Sequence, residues 1–357
     1  MKNRFSLSQN LNKANGVNQQ TQYTVAVVGA TGAVGETMLS VLAERKFPVG
    51  KLVALASERS AGGSVDFGGK QVLVQDLAMF DPAGVDIALF SAGGDTSKEH
   101  APRFAAAGAV VIDNSSAFRN DDDVPLVVSE VNPGAVSERP RGIIANPNCS
   151  TMQMLVALAP IHRAVGIERI NVATYQSVSG AGRSAMEELG RQTAAILNFS
   201  DPTPERFPVQ IAFNLIPQID EFLDNGYTRE EMKLVWETRK ILGDERIEVN
   251  PTAVRVPVFY AHSEAIHIET RESITAEAVR ELLEAAPGVS VVDERRAGGW
   301  PTPVTHASGR DEVFVGRIRR DISHPRGLNL WVVSDNIRKG AALNAVQIAE
   351  LLVKSDL

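Results

Sequence analysis

The chain contains one cysteine, and its position can support nucleophilic chemistry. Cys149 lies in the run NPNCST at residues 146–151, between an apolar strand pattern and a helical pattern. At a helix N-terminus, free N–H groups and the helix dipole stabilise a thiolate and lower the pKa of the thiol below ~8.5. Because the thiolate is the nucleophile, this position predicts covalent catalysis by Cys149. The alternative is a buried structural cysteine, against which the polar residues on both sides argue.

A cysteine nucleophile needs a partner that exchanges protons, and six histidines are available: His100, His162, His262, His267, His306 and His324. Four of them fall in predicted helices or polar loops, where surface roles are commoner. His262 closes the predicted strand RVPVFYAH, which also contains Arg255. Their separation would put the two on opposite faces of a regular strand, so Pro257 or a bulge must interrupt the alternation. His262 leads His267 narrowly, and a structural histidine remains the alternative.

A glycine-rich turn near residue 30 can hold a phosphate. Gly29, Gly32 and Gly35 form the pattern GxxGxxG between a strand and a helix. Such a turn brings backbone N–H groups and the helix dipole close to a pyrophosphate. The spacing alone is a weak signal because ordinary tight turns also have it. Its place between the first strand and the first helix nevertheless predicts dinucleotide binding.

The end of the second predicted strand is where such folds select the ribose. Glu58 could bind a free 2′-hydroxyl and would repel a 2′-phosphate. Arg59 and Ser60 could bind that phosphate, since a guanidinium donates in the bidentate geometry that phosphate accepts. A solvated loop is the alternative. We expect NADP rather than NAD.

Two regions with different patterns must position these residues. Up to about residue 149, apolar strands alternate with helices, which indicates a parallel, doubly wound sheet of the Rossmann type. The strand patterns lie at 24–28, 51–57, 85–92, 109–116, 124–131 and 142–148. After a helix at 150–165 come longer alternating strands: ERINVATYQSV, TAVRVPVFY, EAIHIET, EVFVGRIRRD and LNLWVVS. These predict an α+β domain on a mixed or antiparallel sheet.

Composition excludes several classes of function. The 357 residues include 36 basic and 43 acidic side chains, and the net charge of −7 argues against a nucleic-acid-binding protein. No apolar run approaches the ~20 residues that span a bilayer, so no membrane partner is expected. One thiol cannot form an intramolecular disulfide, and the histidines show no ligand spacing, so we expect no metal site. Residues 1–21 lack the apolar core of a secretory signal, which predicts a disordered tail and a cytoplasmic protein.

Nine motifs occur in order after residue 21. They are GATGAVG at Gly29–Gly35, RSAG at Arg59–Gly62, SAGG at Ser91–Gly94, NSSAFR at Asn114–Arg119, PNCST at Pro147–Thr151, YQSVSGAG at Tyr175–Gly182, EEMK at Glu230–Lys233, RVPVFYAH at Arg255–His262 and SDNIRKGA at Ser334–Ala341. Together they resemble the bacterial aspartate-semialdehyde dehydrogenases. The resemblance implies an NADP-binding domain at 22–149 and 337–357, with a helix over Gly340–Val353 returning to it. A catalytic and dimerisation domain would then occupy 150–336 and form a homodimer or homotetramer.

The resemblance also implies a reaction, the reversible NADPH-dependent reduction of β-aspartyl phosphate to aspartate semialdehyde with release of phosphate. This step serves lysine, methionine and threonine biosynthesis. Cys149 would hold the aspartyl group as a thioester, His262 would exchange protons with the thiohemiacetal oxygen, and Gln176 would orient the reacting group. A histidine pKa near ~6.5 suits that role at cellular pH.

Charged residues would bind the anionic substrate. By resemblance, Arg255 pairs with the α-carboxylate and Glu230 with the α-ammonium, although Glu231 is a neighbouring alternative. Lys233 and Arg119, with Asn148, would bind the phosphate. Apart from the resemblance, EEMK reads as an exposed helix face. The NADP-binding residues implied are Gly29, Thr31, Gly32, Ala33, Val34, Arg59, Ser60, Ser179, Gly180 and Asn336.

Three other functions remain possible at this point. N-acetyl-glutamyl-phosphate reductase has the same chemistry, but we expect glycine before its cysteine, where this chain has Asn148. Glyceraldehyde-phosphate dehydrogenase is disfavoured because its SCTTN-type site is not present. A dinucleotide-binding paralogue without activity would keep the fold, yet Cys149, Gln176, Arg255 and His262 are all retained.

Overall fold

The structure, a computed structural model, describes residues 22–355. The predicted disordered tail at 1–21 lies outside these residues. Two sheets organise the chain, one of seven strands and one of six. The element patterns predicted from the sequence change character at the same place, near residue 149, where the first sheet ends.

The first sheet is a Rossmann-type sheet. Its strands are β1 (Tyr23–Val28), β2 (Val49–Ala56), β3 (Ser64–Phe67), β4 (Lys70–Asp76), β5 (Ile87–Phe90), β6 (Val110–Asp113) and β7 (Ile143–Ala145). They lie in the order β3-β4-β2-β1-β5-β6-β7, and all neighbours are parallel except β3 and β4. The central strands β1 and β5 are apolar because both faces of the sheet are covered.

Helices pack on this sheet from both ends of the chain. They are α1 (Ala33–Glu44), α2 (Gly94–Ala106) and the C-terminal α7 (Asn344–Lys354). Apolar residues of α7, among them Val346 and Leu352, share a hydrophobic cluster with Val25 and Val27 of β1. A turn of π-helical geometry over Arg338–Leu343 leads into α7, so the predicted helix over Gly340–Val353 begins later as a regular α-helix.

The second sheet is mixed, one of the two forms predicted. Its strands are β8 (Ile167–Gln176), β9 (Glu248–Arg255), β10 (His262–Thr270), β11 (Val289–Val291), β12 (Val313–Arg320) and β13 (Gly327–Ser334). Their order is β11-β12-β13-β10-β8-β9, with parallel pairs at β8–β9 and β11–β12 and antiparallel pairs elsewhere. The helices of this region are α3 (Cys149–Val165), α4 (Arg183–Leu197), α5 (Arg229–Leu242) and α6 (Ala276–Glu284).

Helix α3 connects the two sheets. Asn148 caps its N-terminus, and the helix is buried along most of its length despite an internal Pro160. Its apolar side chains, such as Met154 and Leu158, belong to one hydrophobic cluster with strands of both sheets. The residue at the start of α3 is therefore held where the two sheets meet.

Two details of the sequence-based assignment are wrong. Residues 124–131 form no strand; only an isolated bridge joins Leu126 to Ala145. This apolar run packs its valines into the core from an irregular loop, so periodicity alone was misleading. The assignment also lacks the hairpin of β3 and β4, whose exposed edge carries polar residues.

Candidate functional site

The single thiol lies at the first residue of α3. The side chain of Asn148 accepts hydrogen bonds from the N–H groups of Ser150 (3.0 Å) and Thr151 (3.3 Å), which fixes the start of the helix. Gly340 lies directly against Cys149, because a Cβ added at Gly340 would be 2.6 Å from the Cβ of Cys149. A turn from the C-terminal segment therefore backs the thiol.

The ionisation of Cys149 differs from the sequence-based expectation. Burial and the carboxylate of Glu230 raise the pKa of the thiol to about 12, while Arg119 and Arg255 act in the opposite direction. The expected lowering is wrong, since desolvation of a thiolate outweighs the effect of the helix N-terminus. At neutral pH this pKa favours the protonated thiol.

The imidazole of His262 is buried and neutral. Burial, together with the charge of Arg255, lowers its pKa to about 3, below the value of ~6.5 expected from the sequence. Its Nδ1 accepts the backbone N–H of Ser177 at 3.0 Å. A backbone N–H can only donate, so the neutral ring carries its proton on Nε2.

Two N–H donors lie close together here, one on the imidazole of His262 and one on the amide of Gln176. Nε2 of His262 lies 3.4 Å from Nε2 of Gln176, whose amide also donates to Oε1 of Glu230 at 3.1 Å. Two N–H groups cannot bond to each other, so both remain available to an oxygen placed between them. This arrangement suits a carbonyl oxygen that gains negative charge.

The run EEMK is not an exposed helix face, which corrects the interpretation made without the resemblance. Glu230 is buried on α5 and accepts Nζ of Lys233 at 2.8 Å and Nδ2 of Asn148 at 2.9 Å. Burial alone would raise the pKa of Glu230, but Lys233 and these hydrogen bonds lower it to about 2. Lys233 also pairs with Asp220 at 2.9 Å.

The neighbouring carboxylate has a different task. Glu231 accepts the backbone N–H groups of Thr228 (2.7 Å) and Ala253 (2.9 Å), the first as part of the capping box of α5. These bonds turn it away from Asn148 and Gln176. Between the two candidates for an ammonium partner, the geometry therefore favours Glu230.

Arg119 is held by a second buried carboxylate. Its guanidinium donates to Glu237 at 3.0 Å and to the carbonyls of Asn146 (2.9 Å) and Asn114 (2.8 Å). Glu237 also accepts the backbone N–H of Asn148 at 2.6 Å. This carboxylate thus connects Arg119 to the residue that precedes the thiol.

Arg255 and His262 do not share a strand, contrary to the expectation. Arg255 ends β9, His262 begins β10, and an irregular segment separates them, so the opposite-face problem does not arise. Both converge on Gly180, where an added Cβ would be 3.1 Å from Nη1 of Arg255 and 3.2 Å from Nε2 of His262. Arg255 donates to the carbonyl of Ser177 at 2.7 Å.

The glycine turn between β1 and α1 fits a dinucleotide. Gly29 has φ +82°, and a Cβ there would be 2.3 Å from the carbonyl oxygen of Ser91. A Cβ at Gly35 would be 2.1 Å from the oxygen of Gly29. Gly32 is the N-cap of α1 and supplies no side-chain cap, and Thr31, Ala33 and Val34 beside it are half-buried. The first N–H groups of α1 therefore have no side-chain acceptor at the cap, which leaves them available to a pyrophosphate.

The residues expected at the ribose lie in a short 3₁₀ turn, Glu58–Ser60, after β2. Glu58 and Arg59 are exposed and Ser60 is half-buried. Within residues 22–355, Arg59 makes no ion pair, so its guanidinium is available to a phosphate. The structure leaves both ribose partners open to a ligand.

The remaining expected cofactor residues form one hydrogen-bonded group beside His262. Oδ1 of Asn336 accepts the hydroxyls of Ser177 (3.0 Å) and Ser179 (3.1 Å) and the backbone N–H of Ala261 (3.0 Å). Within this group Ser177 contacts Nδ1 of His262, and Gly180 lies next to the same ring. Asn336 is therefore a firm part of the wall next to the proposed reaction centre.

Within the described range, no cluster of three His, Cys, Asp or Glu side chains could hold a metal ion, and no helix is long and apolar enough to cross a membrane. The competing histidines lie elsewhere. His267 pairs with Asp321 at 2.7 Å, and Nδ1 of His162 accepts the backbone N–H of Ile167 at 3.1 Å. They do not meet Cys149.

Sequence reasoning missed three residues of this site. Ser177 donates a hydrogen bond to His262, and Glu237 accepts one from Arg119. Gly340 lies against Cys149. A signal existed for Glu237, because it follows Glu230 by two helical turns and so shares its face of α5. Contacts of Ser177 and Gly340 depend on tertiary packing and leave no local pattern.

Comparisons with known proteins agree with this architecture. The family model of the semialdehyde dehydrogenase NAD-binding domain matches residues 24–139. The model of the semialdehyde dehydrogenase dimerisation domain matches residues 158–339.

Similar individual proteins cover almost the whole chain. Aspartate-semialdehyde dehydrogenase 2 of Vibrio cholerae serotype O1 is 63% identical over 334 residues, which are 93% of this chain and 98% of that protein. A crystal structure of aspartate semialdehyde dehydrogenase II from Vibrio cholerae complexed with ASA has 61% identity and a TM-score of 0.92, covering 94% of this chain and 100% of the other. A crystal structure of aspartate semialdehyde dehydrogenase with NADP from Candida albicans has 25% identity and a TM-score of 0.74. The match covers 94% of this chain and 100% of the other.

Proposed function

The chain belongs to the aspartate-semialdehyde dehydrogenase family, and on that premise we propose that it reduces β-aspartyl phosphate to aspartate semialdehyde with release of phosphate. The reaction is reversible and serves lysine, methionine and threonine biosynthesis. The observation that carries the proposal is the meeting of Cys149, Gln176, Arg255 and His262 where the two sheets join. Cys149 would supply the nucleophile, His262 and Gln176 the hydrogen-bond donors to the reacting oxygen, and buried Arg255 the positive charge for a small anionic substrate.

Cys149 attacks the acyl phosphate carbon, and the C–O bond to phosphate breaks to leave a thioester. The thiol is protonated in the free enzyme because burial and Glu230 raise its pKa to about 12. Its proton passes to an oxygen of the departing phosphate, so the S–C bond forms, the C–O bond breaks and the proton leaves with the phosphate. Arg119 and Arg255 favour the thiolate character that develops on sulfur.

His262 and Gln176 act on the reacting oxygen. The Nε2–H of His262 and the free N–H of Gln176 point into the same space, where they stabilise the oxygen of each tetrahedral species on Cys149. Bound NADPH supplies the hydride that reduces the thioester. The Nε2–H of His262 shares its proton with the thiohemiacetal oxygen through a hydrogen bond. That oxygen then re-forms the carbonyl bond, the C–S bond breaks, and Cys149 leaves as the thiolate while the aldehyde forms.

Charge decides how the substrate is oriented. We assign the α-carboxylate to Arg255, whose guanidinium is buried and whose only acceptor among residues 22–355 is the Ser177 carbonyl. Glu230 takes the α-ammonium, since its low pKa keeps it ionised among Lys233, Asn148 and Gln176. Lys233 and Arg119, with Asn148, bind the phosphate.

For the cofactor we propose NADP. Gly29, Thr31, Gly32, Ala33 and Val34 would hold the pyrophosphate, while Arg59 and Ser60 would bind the 2′-phosphate. Ser179, Gly180 and Asn336 would line the nicotinamide side next to His262. Exposed Arg59 supports this assignment, and exposed Glu58 beside it opposes it.

We further propose a cytoplasmic homodimer, or a dimer of such dimers. Large apolar side chains of the second region stay exposed in one chain, among them Phe213, Leu215 and Phe222. Exposed apolar patches of this kind mark protein interfaces. A single catalytic thiol that must stay reduced suits the cytoplasm. Light scattering on the purified protein measures the oligomeric state.

One assay tests the reaction. The purified chain receives aspartate semialdehyde, phosphate and NADP, and NADPH formation is followed by its absorbance. Phosphate-dependent reduction of NADP supports the proposal, and omission of phosphate is the control. Activity with the N-acetylated glutamate homologue and none with aspartate semialdehyde would contradict it and favour an N-acetyl-glutamyl-phosphate reductase.

A further inference from the structure

A buried carboxyl group behind the site has no partner. Glu264 lies on β10, two residues after His262 and on the same face of the strand, and its side chain is completely buried. Neither carboxyl oxygen has a hydrogen-bond partner among the described residues. Its neighbours across the sheet are Thr174, which donates to Gln176 instead, and Val332.

A buried amide faces the same space from the other side. Gln153 lies one helical turn after Cys149 on α3, which packs against β10, and it is also completely buried. Its Nε2 approaches the carbonyl oxygen of His262 at 3.5 Å, whereas its Oε1 has no donor among the described residues. Gln153 is also the one group near enough to Glu264 to oppose the effect of burial on its pKa.

The hydrogen-bonding groups of Glu264 and Gln153 are complementary. Burial raises the pKa of Glu264 well above its ordinary value, and no charged side chain of the described residues offsets this effect. A carboxylate without partners would be strongly disfavoured there, so the group keeps its proton. A protonated carboxyl has one O–H donor, and the Oε1 of Gln153 is an acceptor that lacks one.

We propose that Glu264 and Gln153 form a neutral acid–amide pair that sets the position of His262 relative to Cys149. The pair joins α3 one turn beyond the thiol to β10 two residues beyond the imidazole. Because both side chains are completely buried, neither is open to a substrate, and both are positioning residues. The inference deepens the proposed function, on which its kinetic part rests.

Four variants separate hydrogen bonding from charge and from mere filling of space. Glu264→Gln keeps an uncharged hydrogen-bonding group, and the exchange Gln153→Glu with Glu264→Gln restores the pair in reverse. Glu264→Leu and Gln153→Leu remove it. Each variant is assayed for kcat and KM with aspartate semialdehyde, and for the rate at which iodoacetamide alkylates Cys149, which needs no turnover. Thermal unfolding confirms that each variant folds.

We expect Glu264→Gln and the exchanged pair to keep kcat within about threefold, and either Leu variant to lose about 10–100-fold in kcat with little change in KM. The alkylation rate should change only in the Leu variants. Folded Leu variants with wild-type kcat and alkylation would overturn the proposal, as would a folded exchanged pair as impaired as Glu264→Leu. If the wild type lacks activity with aspartate semialdehyde, the proposed function fails, while alkylation still decides on the pair.

Discussion

The backbone N–H of Ser177 donates to the Nδ1 atom of His262 at 3.0 Å. The N–H can only donate, so it excludes a proton from Nδ1 in the neutral ring. The hydroxyl of Ser177 also lies 3.0 Å from Nδ1, but it donates its one proton to Oδ1 of Asn336. Ser177 thereby holds the imidazole in one neutral tautomer and disfavours the doubly protonated ring.

The tautomer of His262 can be observed directly. We expect ¹⁵N NMR of the ligand-free protein at pH 7 to show a neutral ring that carries its proton on Nε2, because the Ser177 N–H occupies Nδ1. The signal is assigned by its loss in His262→Asn. A ring protonated on Nδ1 would contradict the hydrogen bond from the Ser177 backbone.

Replacement of the only thiol should separate binding from chemistry. Cys149→Ala is expected to lose at least about 10³-fold in turnover, since no other nucleophile can form the thioester. NADPH affinity, measured by fluorescence titration, should stay within about threefold because the glycine turn at residues 29–35 is untouched. Cys149→Ser serves as the isosteric control. Wild-type turnover in Cys149→Ala would disprove the nucleophile assignment.

His262 should make the fold sensitive to mild acid. Its folded pKa is lowered from 6.5 to about 3, so between these values the unfolded chain binds a proton that the folded chain does not. Stability is then lost as pH falls below 6.5, by about 1.4 kcal/mol per pH unit from this group. Denaturant unfolding between pH 6.5 and 4.5 should show that slope reduced in His262→Asn. The control His306→Asn, away from the site, should keep it.

The contact between Gly340 and Cys149 predicts a severe effect of one methyl group. In Gly340→Ala the new Cβ would start 2.6 Å from the Cβ of Cys149, so the head of α3 must shift. We expect kcat to fall by about 10²-fold or more with NADPH binding retained. Gly190→Ala is the matched control, because a Cβ at Gly190 meets no atom within 4 Å. Equal kinetics of the two variants would refute the role given to Gly340.

Cofactor preference should depend on two adjacent residues. Arg59→Ala is expected to lower kcat/KM with NADP by about 10–100-fold, the worth of charged hydrogen bonds to phosphate, and to leave NAD unchanged. Glu58→Ala should act oppositely, with weaker use of NAD. Steady-state kinetics with both cofactors measure the ratio. An unchanged ratio in Arg59→Ala would remove this residue from the 2′-phosphate site.

The sequence predicted most of the architecture because its signals are local. Alternating apolar strands and helices indicated the first sheet, and the Asn148-Cys149 run indicated a helix start. The strand expected at 124–131 failed since a buried irregular loop can be as apolar as a strand. Glu230 and Lys233 looked like an exposed pair because the partners of Glu230, Asn148 and Gln176, lie far away in the chain.

Electrostatic properties could not be read from the sequence. The helix N-terminus suggested a lowered pKa for Cys149, yet burial dominates and raises it. The pKa of His262 is likewise lowered by desolvation and by the charge of Arg255. The motif RVPVFYAH contains both residues, but the sequence alone does not show that their side chains converge. Such energies depend on how much water the fold removes, and only three-dimensional packing determines that amount.

The C-terminal turn over Arg338–Leu343 has a consequence for protein synthesis. The Nζ of Lys339 donates hydrogen bonds to Glu130 and Gln347, and the neighbouring Gly340 lies against Cys149. A ribosome adds roughly 5–20 residues per second and makes the thiol long before this turn. During that interval the nascent chain contains Cys149 but not yet Gly340, which lies against it in the folded protein. Only a chain extended beyond Gly340 therefore combines the thiol of Cys149 with the turn that contacts it.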